Sequence, residues 1–154
     1  MRPTRVLAAT VALLCMVPAL AGCVYAQGCP GWAGYETPND AAESAEAVVI
    51  GRVVEKVSTT DFNGARANVW SVAVTEWRKG DGPDHVEVLS PPSACGSSAD
   101  PYLGDEDPLG AAVRHGASAL FLVGDEAGWR TISPVQGLVE LAPDGRIPST
   151  WPAR

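Results

Sequence analysis

The reactive side chains of this 154-residue chain are few. Four cysteines stand at Cys15, Cys23, Cys29 and Cys95, and two histidines at His85 and His115. Thiolates and imidazoles build structural zinc sites when they recur in closely spaced pairs, and these six residues have no such spacing. The histidines read as surface or strand-edge residues. Asp105-Glu106-Asp107 is a dense acidic run, but it lacks the alternating ligands and central glycine of a calcium loop and reads as a solvated loop. Ser93, Ser97 and Ser98 have no recognisable partner base. Neither a Gly-x-Ser-x-Gly elbow nor a phosphate loop is present. No catalytic residue, metal site or cofactor follows from these patterns, and the expectation is a non-enzymatic protein.

The thiols are informative through their surroundings. Arg2 and Arg5 precede an uncharged apolar run over 6–16; Pro18 breaks it, and the small residues Ala19, Ala21 and Gly22 follow. This is the pattern of an export signal over 1–22, and the run is shorter than the roughly 20 apolar residues a transmembrane helix needs. Leu20-Ala21-Gly22-Cys23 resembles the lipobox of bacterial lipoproteins. The resemblance implies that the Cys23 thiol takes a diacylglyceryl group and becomes the first mature residue, palmitate-type chains then tying the protein to the outer face of the cell membrane. Each buried CH₂ contributes about 0.8 kcal/mol, so two acyl chains suffice for anchoring. Ordinary cleavage after Val24-Tyr25-Ala26 competes; it would start a secreted chain at Gln27 without lipid.

Under the lipid reading Cys15 leaves with the leader and Cys23 is acylated. Cys29 and Cys95 then remain as an even pair in an oxidising compartment, where a disulfide is expected; two independent thiols are the alternative. The bond would close a loop of more than 60 residues and stabilise by about 4 kcal/mol in the chain-entropy picture. The leader also removes two of the 11 basic residues and none of the 18 acidic ones, so the mature charge is 9 − 18 = −9. Such an acidic surface excludes nucleic acid as an expected partner, because a basic patch supplies that affinity. It equally disfavours electrostatic adhesion to anionic lipid, which leaves the acyl chains as the contact with the membrane.

The elements that must carry these residues read as follows. A short tether spans 23–34, with Trp32 among its glycines. Thr37-Pro38-Asn39-Asp40 is a helix start, with Thr37 as N-cap and Pro38 in the first turn. The β-branched stretch 46–57 is a strand with Gly51 as bend or bulge, and 59–65 is a hairpin loop containing Asn63-Gly64. Residues 67–77 alternate; Val69, Ser71, Ala73, Thr75 and Trp77 fall on one face, and Trp70, Val72, Val74 and Glu76 on the other. Two glycines in 78–83 mark a turn, and a third strand over 85–89 stops at Pro91-Pro92. Residues 93–114 read as loop. The apolar run 117–123 is a strand buried on both faces, followed by strands over 129–132 and 137–141. Residues 143–154 read as a surface tail. The whole is one all-β domain over 35–142 with one short helix: a small five-stranded barrel, or alternatively an open β-sandwich.

The order of these features resembles a family. The strand over 46–57, the Trp77-x-Lys79-Gly80 turn, Val86-Glu87-Val88 leading to Cys95-Gly96, and Ala119-Leu120-Phe121-Leu122-Val123 are similar to the N-terminal module of tissue inhibitors of metalloproteinases and of netrins. The resemblance implies an OB-like barrel and a Cys29–Cys95 disulfide. The family's inhibitors chelate zinc through a free N-terminal cysteine. Cys29 is not N-terminal here and Cys23 would be acylated, so that mechanism is not expected. The implied function is a lipid-anchored cell-surface interaction module for an envelope protein or extracellular ligand. The alternative is a protease-inhibitor-like or ligand-binding protein using the barrel rim near Cys29 and Cys95. OB-like barrels often bind on the face of strands two and three, which makes Trp70, Val72 and Val74, or the alternate face with Trp77, the candidate binding surface. Trp32, Trp129 and Trp151 are further candidates for exposed aromatic platforms.

Overall fold

The computed structural model describes residues 31–125 and 128–153. The leader over 1–22, Cys23 and Cys29 lie outside the described residues, as does most of the tether.

The fold is built on one long hairpin. Strand β1 (Ala47–Phe62) and strand β2 (Ala65–Lys79) are joined by Asn63-Gly64 alone. Both turn residues have positive φ, 53° and 80°, as a two-residue hairpin loop of matching twist requires, and Asn-Gly is the dipeptide that tolerates it best. The loop expected over 59–65 is therefore mostly strand. β3 (His85–Ser90) follows β2, and helix α2 (Pro108–Ala112) intervenes before β4 (Ser118–Asp125), β5 (Gly128–Thr131) and β6 (Leu138–Glu140). The sheet runs β1-β2-β3-β5-β4, and β4 pairs back onto β1. This closes a ring through five strands in an all-β domain, as expected, although an uneven one. The hairpin strands are 16 and 15 residues long, whereas β5 joins β3 in parallel through only two residue pairs. β6 does not widen the ring; it lies along β4 beyond the end of β5, pairing with Ser118, Ala119 and Leu120.

Helix α1 (Pro38–Ser44) starts at the expected place, with a reciprocal capping box: Thr37 Oγ1 accepts from the Asp40 amide at 3.2 Å, and Asp40 Oδ2 accepts from the Thr37 amide at 2.8 Å. Its C-terminal carbonyls are met by Lys79 Nζ, which donates to Ala42, Glu43 and Ala45. A second helix, α2, lies in the stretch expected to be loop. Asp107 is its N-cap and Pro108 opens its first turn.

Alternation in β4 divides the interior. Leu120 and Leu122 point into the ring with Val49, Val53, Val72, Val88 and Leu109. Ala119 and Phe121 point outward into a second core with Ala41, Val48, Ile50 and Val139. The closing segment is part of that second core and not a surface tail. Ile147 and Trp151 pack against it; Trp151 meets Phe121 edge-on at 6.1 Å and donates Nε1–H to the Tyr35 carbonyl at 2.9 Å.

Gly51 marks the expected bulge. Val74 pairs with Gly51 and Glu76 with Ile50, so Thr75 is an extra residue in β2, and its hydroxyl donates to the Ile50 carbonyl at 3.1 Å. A Cβ on Gly51 would lie 2.5 Å from the Ala73 carbonyl oxygen, so the backbones approach as only glycine allows.

Candidate functional site

The bulge decides which tryptophans are available. An extra residue inverts the side-chain alternation beyond it, so Trp70 and Trp77, expected on opposite faces, both pack against the inner core with Val74 and Val72. Val72 is inaccessible. Trp70, Val74 and Trp77 are half-buried with one side against the barrel core, and Val72 contributes no accessible surface to the expected binding face. Trp77 is further covered by the turn that follows it: Gly82 sits against its ring, and its Nε1–H donates to the Pro83 carbonyl at 3.2 Å.

Trp70 is committed to a buried polar network. Asp107 is 8% exposed. Its Oδ2 accepts from Trp70 Nε1 at 2.8 Å and Asn68 Nδ2 at 2.7 Å; its Oδ1 accepts from Ser90 Oγ at 2.6 Å and the Leu109 amide at 3.0 Å. Four neutral donors thus satisfy one buried carboxylate. Tyr102 completes the group, donating to the Ser90 carbonyl at 3.2 Å. Burial, and then the neighbouring Asp107 charge, push the Tyr102 phenol up to about 12. The acidic run is therefore not a uniformly solvated loop. Asp105 and Glu106 are exposed and Asp107 is a structural anchor. Asp107-Pro108 carries the same N-cap and first-turn proline signature as Thr37-Pro38, which is the sequence signal for α2 that the acidic composition masks.

Of the other candidate aromatics, Trp129 packs against the inner core and Trp151 against the second core, while Trp32 meets Phe62 near the hairpin turn. Trp32 lies parallel to Phe62, with ring centroids 6.1 Å apart and planes 17° off parallel. The Arg130 guanidinium carbon stands 5.9 Å from the Trp32 centroid and 5.7 Å from that of Phe62, within the range of cation–π attraction. Arg130 Nε also faces Asp125 Oδ2 at 3.5 Å. Beside this cluster is a cleft of about 240 Å³ lined by Ser58, Thr60, Val69, Glu87, Trp129 and Arg130, among others. Such a set offers an aromatic face, two hydroxyls, the Glu87 and Asp125 carboxylates and one guanidinium. Among the described residues no three His, Cys, Asp or Glu side chains cluster as metal ligands. His85 is exposed, and His115 faces Glu140 at 3.6 Å.

Cys95 is partly buried in the segment after β3. The amide of the next residue, Gly96, donates to the Asn63 carbonyl at the hairpin turn, at 3.4 Å. Trp32 stacks on Phe62 next to that same turn. Gly96, the residue after Cys95, and Trp32, three residues after Cys29 in the sequence, thus both lie near this turn.

No known protein family matches this chain, nor does any curated protein or any solved structure.

Proposed function

We propose that this chain is a non-enzymatic interaction module, held to the outer face of a cell membrane by lipid on Cys23, that engages an envelope protein or extracellular ligand through the outer tip of the β1–β2 hairpin. The observation that carries the reading is the Trp32–Phe62–Arg130 cluster. Two half-buried aromatic rings and a guanidinium meet near the hairpin turn and adjoin a polar cleft. Aromatic residues and arginine are the side chains that most often anchor interfaces. A Cys29–Cys95 disulfide fits this arrangement, because it would tie the incoming tether to the loop that rests on the hairpin turn. The resemblance to the netrin and metalloproteinase-inhibitor module is compatible with the five-strand ring and belongs to this proposal, with the fold as its support.

A second reading, an inhibitor-like protein working through the rim at Cys29 and Cys95, draws on the Gly96–Asn63 hydrogen bond, which brings that rim to the same tip. The two readings part on the partner recovered. The full chain and a Phe62→Ala/Arg130→Ala variant are used as baits on detergent-solubilised envelope. A structural envelope component captured by the native protein and lost by the variant is the expected result. A protease captured in the same way supports the inhibitor reading. Equal capture by both baits contradicts the assignment of the tip.

A further inference from the structure

At the end of the barrel where α2 packs lies a cleft of about 360 Å³ between α2 and β6, a size typical of small-molecule sites. Its walls are mostly apolar, with Pro108, Ala112, Val135 and Leu138 among them, and Ser118 lines it too. Ser118 is 1% exposed, and among the described residues its hydroxyl has no hydrogen-bond partner. A buried hydroxyl left unpaired is costly and uncommon, and every other buried side-chain polar atom described here is satisfied. His115 and Glu140, half exposed and 3.6 Å apart, line the same cleft.

We infer that this cleft binds a small neutral molecule with an apolar body and one hydroxyl or carbonyl group, which pairs with Ser118 Oγ. The body is set by the apolar walls. The single polar group is set by the single orphan hydroxyl, which can donate or accept. Neutrality follows from burial. A carboxylate or ammonium drawn down to Ser118 would lose its hydration for one hydrogen bond to a neutral partner, and a carboxylate would also pass the negative Glu140. The site is separate from the hairpin tip and does not depend on the function proposed for it.

The test is an amide-resolved NMR titration of the folded protein with four probes of one shape: benzyl alcohol, toluene, benzoate and benzylamine. Benzyl alcohol should shift the amides of Ala112, Ser118 and Leu138 saturably. Toluene should bind there about fivefold more weakly, the value of one net hydrogen bond, and benzoate and benzylamine more weakly still. In Ser118→Ala, which removes only an unpaired group and should fold normally, benzyl alcohol and toluene should bind equally. The inference is overturned if none of these amides responds saturably, if either ion binds as well as the alcohol, or if the alcohol keeps its advantage in Ser118→Ala.

Discussion

Replacing Asp107 should damage the fold far more than its place in an acidic run suggests. Asp107→Ala removes the N-cap of α2 and the acceptor shared by Asn68, Trp70 and Ser90. A hydrogen bond to a charged group contributes about 1.5–3 kcal/mol, and a lost cap about 1 kcal/mol. These contributions are not additive where the groups share one acceptor. A total near 4 kcal/mol is expected, within the ~3–5 kcal/mol that follows when one partner of a buried charged group is removed. That is a large fraction of the ~5–15 kcal/mol that holds a domain together. Asp107→Asn keeps the shape but turns one oxygen into a donor facing other donors, and about 2 kcal/mol should be lost. Urea unfolding followed by tryptophan fluorescence measures both, with Trp70 reporting on the network itself. Asp107→Ala within 1 kcal/mol of the native protein, or Asp107→Asn equal to it, would refute the reasoning.

Tyr102 gives the same network a pH signature. Its folded pKa of about 12 lies above the ordinary value of 10.0. The stability linked to its neutral form is therefore complete below pH 10 and is lost as pH rises toward 12. Tyr102→Phe should be less stable than the native protein at pH 8 by about 1 kcal/mol for the lost hydrogen bond, and the gap should narrow or reverse by pH 12; parallel stability curves from pH 8 to 12 would contradict this. Leu103 has φ of 58° with its side chain 65% exposed, so Leu103→Asn should stabilise by about 1 kcal/mol by relieving a left-handed bulky residue; calorimetry reads it as a raised Tm. Lys79→Met removes the ammonium that closes the end of α1, and about 1 kcal/mol should be lost, with amide exchange quickening over 41–45. Gly51→Ala should cost at least 1–3 kcal/mol by denaturant titration, because its new methyl meets backbone at the bulge.

Local chemistry makes much of the framework readable from the sequence. Thr37-Pro38-Asn39-Asp40 is a complete capping box within four residues, and of the apolar run 117–123 residues 118–122 are buried, while Ala117 is exposed and Val123 half-buried. What escaped depends on contacts between distant parts of the chain. Trp77 was expected opposite Trp70 because strict alternation puts it there; the extra residue at Thr75 exists only because β1 comes close enough at Gly51 to make a bulge. Trp151 and Ile147 sit among turn residues without periodicity, and only the outer face of β4 gives them a core to join. Asp107 looks like its exposed neighbours until α2 and β2 surround it. The aromatic cluster at the tip was half visible. Trp32 stands out as a candidate platform, but Phe62 belongs to a stretch whose Asp, Asn and Gly suggest a loop, and nothing in the sequence brings Arg130 to them.

The proposed anchor and tip rest on how three cysteines are used, and one mass-spectrometric map of the protein purified from membranes, digested without reduction, tests that use directly. The account predicts a mature N-terminus at Cys23 carrying a diacylglyceryl group, and a cross-linked peptide pair joining Cys29 to Cys95. A mature chain beginning at Gln27 without lipid, or free thiols at Cys29 and Cys95, would contradict it.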